Sequence, residues 1–318
     1  MKSPTLPPTA TITFDVEEHY RIEAAAGLTC NANQQLDYRQ RAEKTTRQLL
    51  QILDNASCQA TFFIVGELAV QCPRLIREIH QAGHEIASHG WDHRPVTRLT
   101  PPEFKIDITR SKETLEQITG YPVYGYRAPT FSILRKTAWA IDILLEAGYL
   151  YDSSIFPVRH DRYGVPDAPT KPFRCSGSRA GPSIMELPPL TLPAFFTNLP
   201  IAGGGYFRLF PLWVLQSGIL FNQRQTPSVS MLYFHPWEFE PGQPKLPLKG
   251  IHRWRTYVGI PRAAARLKQL LKSACTTRFR RAIDVVHELS ECPLSQFQLH
   301  DDTSVTSANP FQPLPQSA

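Results

Sequence analysis

Apolar and polar positions along the first 150 residues follow a repeating order, a short β-rich run and then a stretch of helical periodicity. ATITFDV (10–16) and ATFFIVG (60–66) read as buried strands, and HEIAS (84–88) as a third. Between them the pattern predicts helices near 43–55 and 73–81. The best-marked helix follows Thr100, with Pro101 in its first turn and Glu103 completing a T-x-x-E capping box. Phe104, Ile108, Leu115 and Ile118 share one face of it, and Gly120 is placed to stop it. YGYRAP (124–129) and YLYDSS (149–154) read as strand ends on either side of a helix over 135–147. IMEL (184–187) and SMLYFH (230–235) are strand-like, a helix is predicted over 261–273, and 282–289 reads equally as helix or strand. Alternation of this kind is the mark of βα units and an α/β fold.

The rhythm breaks at 155–183, which is rich in Pro, Gly, Arg and Ser; a loop of this length is usually functional or disordered. GGGYF (203–207) lacks the Lys-Ser/Thr of a phosphate loop and reads as a tight turn beside a cleft. With no repeat and no clear linker, the expected organisation is one catalytic domain over 1–295, with its core at about 11–271. A polar, disordered tail is expected over 296–318.

Composition narrows the picture. The 318 residues are 42% hydrophobic and 19% charged, as in a globular protein. No apolar run approaches the roughly 20 residues of a membrane-spanning helix. The net charge of +6 is scattered, which argues against nucleic acid as a partner and leaves anionic glycans open. Six cysteines form no C-x-x-C pair and are expected to be reduced thiols. MKSPTLPPTATITFDVEE lacks the pattern of a secretory signal, so the expected location is cytoplasmic. The oligomeric state is not legible.

Reactive residue types gather at the strand ends, where parallel α/β folds place their ligands. In TFDVEEHY, strand alternation puts Asp15 and Glu17 on one face and Glu18 on the other. In HEIASHGWDHR, His89 and His93 stand four residues apart. Such a pair alone is a weak motif, but Glu17, His89 and His93 together make a two-imidazole, one-carboxylate set for zinc or a similar divalent ion. Asp15 is then free to act as base, and His235, at the end of an apolar strand, as acid for the leaving group. Arg127 either lies at the surface or pairs with Asp15, and Asp152 is either a turn residue or a partner of His235.

The motifs TFDVEE, SHGWDH, RAP, YDSS and YFHPWEF, in this order between Thr11 and Leu271, resemble those of the polysaccharide deacetylases, carbohydrate esterase family four. They look most like the branch associated with bacterial exopolysaccharide biosynthesis. The resemblance implies a deformed (β/α)7 barrel and hydrolysis of N-acetyl groups from an amino-sugar glycan. It also implies a divalent metal, expected to be zinc, on Glu17, His89 and His93, with Asp15 as base and Arg127 as its partner. Asp152 would orient the acid His235, and the backbone N–H near Thr130 would hold the oxyanion. The chain departs from the family's pattern in one respect: D-V-E-E replaces two adjacent aspartates, which leaves Glu18 open as an alternative ligand. Tyr163, Tyr206, Phe207, Trp237 and Trp254 are candidates to stack on sugars, and Arg159, Arg162, Arg174 and Arg208 to bind carboxylate or phosphate. The rival readings are an amidohydrolase acting on a cyclic ureide or imide, and an inactive glycan-binding protein of the same fold.

Overall fold

The computed structural model describes residues 9–179, 181–194, 197–224, 227–273 and 278–300. Its strands, in chain order, begin with β1 (Thr9–Val16), β2 (Thr61–Ile64), β3 (Glu85–Ser88), β4 (Gly125–Tyr126) and β5 (Tyr151–Asp152). They continue with β6 (Phe173–Ser176), β7 (Ile184–Glu186), β8 (Thr191–Ala194), β9 (Thr197–Pro200), β10 (Val229–Phe234), β11 (Arg278–Phe279) and β12 (Ser295–Gln298). In the main sheet, β10, β1, β2, β3, β4, β5 and β7 follow one another, each parallel to its neighbour. The ring closes just past β7, where Pro189 bridges Met231 of β10 and Leu190 N–H donates to the Met231 carbonyl at 2.9 Å. Seven parallel strands thus form the expected deformed (β/α)7 barrel.

β1 is buried along its whole length, as a strand enclosed on both faces must be. Ile12, Phe14 and Val16 face outward into the apolar layer beneath the helices, where Phe14 stacks on Phe62 at 5.0 Å. The alternate residues face the barrel interior, where Thr13 Oγ1 donates to the Leu232 carbonyl at 2.8 Å. Asp15 and Glu17 continue that inner face to the barrel mouth.

The first helices are α1 (Ala32–Asp54), α2 (Gly66–Gln71), α3 (Pro73–Gln81), α4 (Pro101–Thr119) and α5 (Trp139–Glu146). α1 starts earlier than its apolar periodicity indicates because Asn31 and Gln34 form a capping box. α4 has the predicted cap, with Thr100 N–H and Oγ1 both donating to Glu103 Oε2, and ends at Gly120 with φ of 75°. Later come α6 (Gly204–Leu209), α7 (Leu212–Gln223), α8 (Gly250–Tyr257), α9 (Ile260–Ser273) and α10 (Ala282–Ser290), the last settling the ambiguous segment as helix.

Three expectations are corrected. The 155–183 segment is not structureless throughout, since β6 pairs antiparallel with β7. The tail does not begin at 296: β12 pairs parallel with β6 from Ser295 to Gln298, and only residues 301–318 lie outside the described residues. GGGYF is not a tight turn but a close backbone approach followed by α6. Gly203 lies against β10 so closely that a Cβ there would stand 1.6 Å from the Tyr233 carbonyl oxygen. Cys30, Cys58, Cys72, Cys175 and Cys292 are free thiols, while Cys275 lies outside the described residues. Among the described residues, no helix is long and apolar enough to cross a membrane.

Candidate active site

The ends of β1, β3, β4 and β10 supply side chains to one cleft of about 430 Å³. One carboxylate oxygen of Glu17 and one ring nitrogen each of His89 and His93 lie within 4.8 Å of one another. The His89 Nδ1–H donates to the Arg127 carbonyl at 2.7 Å, which leaves Nε2 as its free electron pair. Burial pushes the His89 pKa down to about 4, so the ring is neutral, as a ligand must be. Burial raises the Glu17 carboxyl, but His93, His235 and His89 outweigh it and hold the group below the usual carboxylate range. Glu17 Oε2 is buried 2.5 Å from His93 Nε2 yet accepts no hydrogen bond. A buried, ionised carboxylate oxygen beside two imidazoles is a donor set that fits a divalent cation. Glu18 turns away to Arg21 at 2.6 Å, so of the two glutamates it is Glu17 that stands with the imidazoles.

The loop carrying the imidazoles is fixed from below by α4. Asp107 Oδ2 accepts the Trp91 N–H at 2.9 Å, and the Arg110 guanidinium covers the Trp91 ring at 3.6 Å. Gly90 (φ 75°) and His93 (φ 65°) both take left-handed backbone, which turns the chain sharply enough to bring the two imidazole rings to 5.1 Å.

Arg127 is fully buried after β4. Its Nη1 donates to Asp15 Oδ1 and to Thr13 Oγ1, both at 2.7 Å, while Nε and Nη2 bind the Ser153 carbonyl and hydroxyl. Asp15 Oδ2 faces His235 Nε2 at 3.9 Å.

The structure corrects the expected partner of His235. Its Nδ1 lies 2.7 Å from Glu238 Oε1, which also accepts the His235 backbone N–H. Asp152 lies elsewhere in the barrel, accepting from Ser154 Oγ at 2.5 Å and pairing across the sheet with Glu186. Burial pushes Asp152 up to about 6 and Glu186 well above its ordinary range, so the two carboxyls hold a proton between them, on Glu186 at neutral pH. Glu238 Oε2 is in turn bound by Arg208 Nε at 2.6 Å. Burial alone would lower the His235 pKa, but the Glu238 hydrogen bond and the charges of Glu17 and Asp15 push it up to about 9, keeping the ring protonated at neutral pH. Glu238 stands in the quoted YFHPWEF, and its H-P-x-E spacing, a turn opened by Pro with a carboxylate three residues on, was the available signal. Arg208 had none, being 30 residues from its partner.

Thr130 lines the cleft with φ of 60°, next to Phe131 at 51°, a strained pair of the sort found at functional sites. Tyr206, Tyr163 and Trp254 also line it. Trp237 borders the cleft too, but its two nearest ring stacks are on His19 (4.9 Å) and His235 (5.3 Å). Its Nε1–H donates to Glu17 Oε1 at 3.2 Å, which orients that carboxylate. Phe207 is core, packed on Phe234. Of the four arginines, Arg162 faces the cleft and Arg208 is consumed by Glu238, while Arg159 and Arg174 do not line it.

Comparison with known proteins divides the chain in two. Residues 2–151 match the family described as Polysaccharide deacetylase, and residues 153–284 match Domain of unknown function (DUF3473). A peptidoglycan-N-acetylglucosamine deacetylase from Bacillus cereus is 30% identical over 98 residues, 30% of this chain and 36% of the relative. The match therefore spans about a third of that relative's length. A Mycobacterium smegmatis protein assigned to the polysaccharide deacetylases superposes with a TM-score of 0.64 at 22% identity, covering 93% of this chain and 95% of that one. Puue allantoinase superposes with a TM-score of 0.62 at 17% identity, over 90% and 92% of the two chains. At these identities the two likenesses are of fold. The match over residues 2–151, together with the deacetylase relatives, shows that this part of the chain is a polysaccharide deacetylase domain.

Proposed function

We propose that this protein hydrolyses N-acetyl groups from an amino-sugar polysaccharide or oligosaccharide, of the exopolysaccharide kind that its motif set resembles. The observation that carries the reading is the convergence, in one cleft, of Asp15 held by Arg127, protonated His235 held by Glu238, and the Glu17–His89–His93 donor set. A divalent ion on those three residues, zinc in this reading, would polarise the acetyl carbonyl and acidify water.

Asp15, kept in place by Arg127, takes a proton from water as the water oxygen bonds to the amide carbon. The carbonyl oxygen becomes an oxyanion and accepts from the backbone N–H near Thr130. As the C–N bond breaks, His235 gives its proton to the departing nitrogen, leaving acetate and a free amino sugar. Tyr206 offers a ring to the sugar. Acetate release from N-acetylglucosamine oligomers, measured before and after chelation and again with zinc or cobalt restored, tests the reading. Loss on chelation and recovery with metal is expected. A protein carrying one equivalent of metal that frees no acetate from any N-acetylated glycan would overturn it.

A further inference from the structure

The acids of the cleft already have cations. Asp15 has Arg127, Glu238 has Arg208, Glu23 is bound by Arg98 at 2.6 Å, and Glu17 belongs to the metal donor set. Two further arginines line the same cleft, Arg162 and Arg255, and both are exposed. Arg255, on α8, has no carboxylate within ion-pair distance among the described residues. Arg162 has only the rim residue Asp161, at 4.0 Å. The Arg162 Nη2 donates to His252 Nδ1 at 3.0 Å; since a guanidinium can only donate, His252 Nδ1 accepts, and its Nε2 carries a hydrogen as a further donor. All three residues belong to the part of the chain matching DUF3473.

This wall is anchored to the acid side of the site. Arg208, whose Nε binds Glu238, also donates to the carbonyls of Arg255, Thr256 and Val258, and so fixes the end of α8 against the cleft. Trp254, half exposed beside Arg255, and Tyr206 add ring faces. Uncompensated guanidinium groups next to aromatic faces are the recognition chemistry of an acidic sugar.

We infer that Arg162, Arg255 and His252 form an anion subsite, and that the glycan bound here carries a carboxylate or phosphate close to the N-acetyl group. The inference rests on the cleft being the sugar site, and its test reads binding separately from hydrolysis. Calorimetry on the full chain would compare neutral N,N′-diacetylchitobiose, N-acetylglucosaminyl-N-acetylmuramic acid for a carboxylate, and N-acetylglucosamine 1-phosphate for a phosphate. At least one anionic sugar should bind roughly tenfold or more tighter than the neutral one, the scale of one charge-assisted contact. That advantage should disappear in the R162Q/R255Q double variant, whose altered positions are exposed. Which anion gains identifies a substituent on the polymer or a phosphate on its carrier, and either supports the subsite. Equal binding of all three, or a preference that survives the double variant, overturns it. Acetate release from the neutral sugar with no anionic preference would overturn the subsite alone. An anionic preference without acetate release from any sugar would support the subsite and count against deacetylation.

Discussion

In the proposed reaction the two parts of the chain contribute different halves of the chemistry. The part matching the deacetylases supplies Asp15, Glu17, His89 and Arg127, each in or one residue past a strand of the barrel, and His93 on the turn that follows β3. The part matching DUF3473 supplies His235, Glu238, Arg208 and the cationic wall of α8. In the first, position follows from alternation along one strand and from short left-handed turns. In the second, it depends on a relay of buried hydrogen bonds from α8 through Arg208 and Glu238 to His235. The proposed base and metal donors are therefore locally encoded, and the proposed acid is held by tertiary structure.

The largest effect that would sharpen this contrast is on the first part. His89→Ala is expected to abolish both bound metal, by elemental analysis, and acetate release. Asp15→Asn should keep the metal yet lower kcat/KM by about 10²–10⁴, the usual contribution of a general base. Retention of full activity in Asp15→Asn would break the assignment. Next is the relay of the second part. Glu238→Gln should lower kcat by about 10- to 100-fold, as loss of an orienting carboxylate does elsewhere, with the metal retained. Asp152→Asn should cost much less; the reverse ranking in steady-state kinetics would restore Asp152 as the partner of His235.

The smallest effect concerns the far end of the barrel, where the two parts are joined. Glu85 accepts from Thr61, Tyr151 and the Ile283 N–H, and burial pushes its pKa up to about 7 from an ordinary 4.5. Because the folded-state value is the higher one, its contribution to stability is complete below pH 4.5 and is lost as pH rises through 7. Glu85→Gln should flatten the pH dependence of Tm across that window, removing a difference of up to about 3 kcal/mol. Parallel Tm curves for the two proteins would break the assignment.

The same contrast explains what was legible in the sequence. Residues whose position follows from neighbours in the chain are the ones whose place was legible: Asp15 and Glu17 on one face from the period of two, His89 and His93 close together from spacing, and the α4 cap from T-x-x-E. The fold class followed from alternating strands and helices. Residues whose role depends on distant contacts were missed or misplaced. Arg208 was read as a ligand for anions, yet its guanidinium is spent on Glu238 and the carbonyls of α8. Asp152 sits in a motif that the family associates with the acid, but here its neighbour across the sheet is Glu186. β12 is invisible in the sequence because SQFQ holds a single apolar residue, and its partner β6 lies some 120 positions earlier.

The closure of the barrel through Leu190 and Met231 bears on how the chain can be divided. A fragment ending at residue 151 would keep β1 to β4 but cut through β5 and lose β10, the neighbours at the two ends of that sheet. It would present bare backbone along β1, a buried and largely apolar strand, and so offer itself for edge-to-edge aggregation. The boundary between the two family matches is thus a seam in ancestry but a poor place to cut.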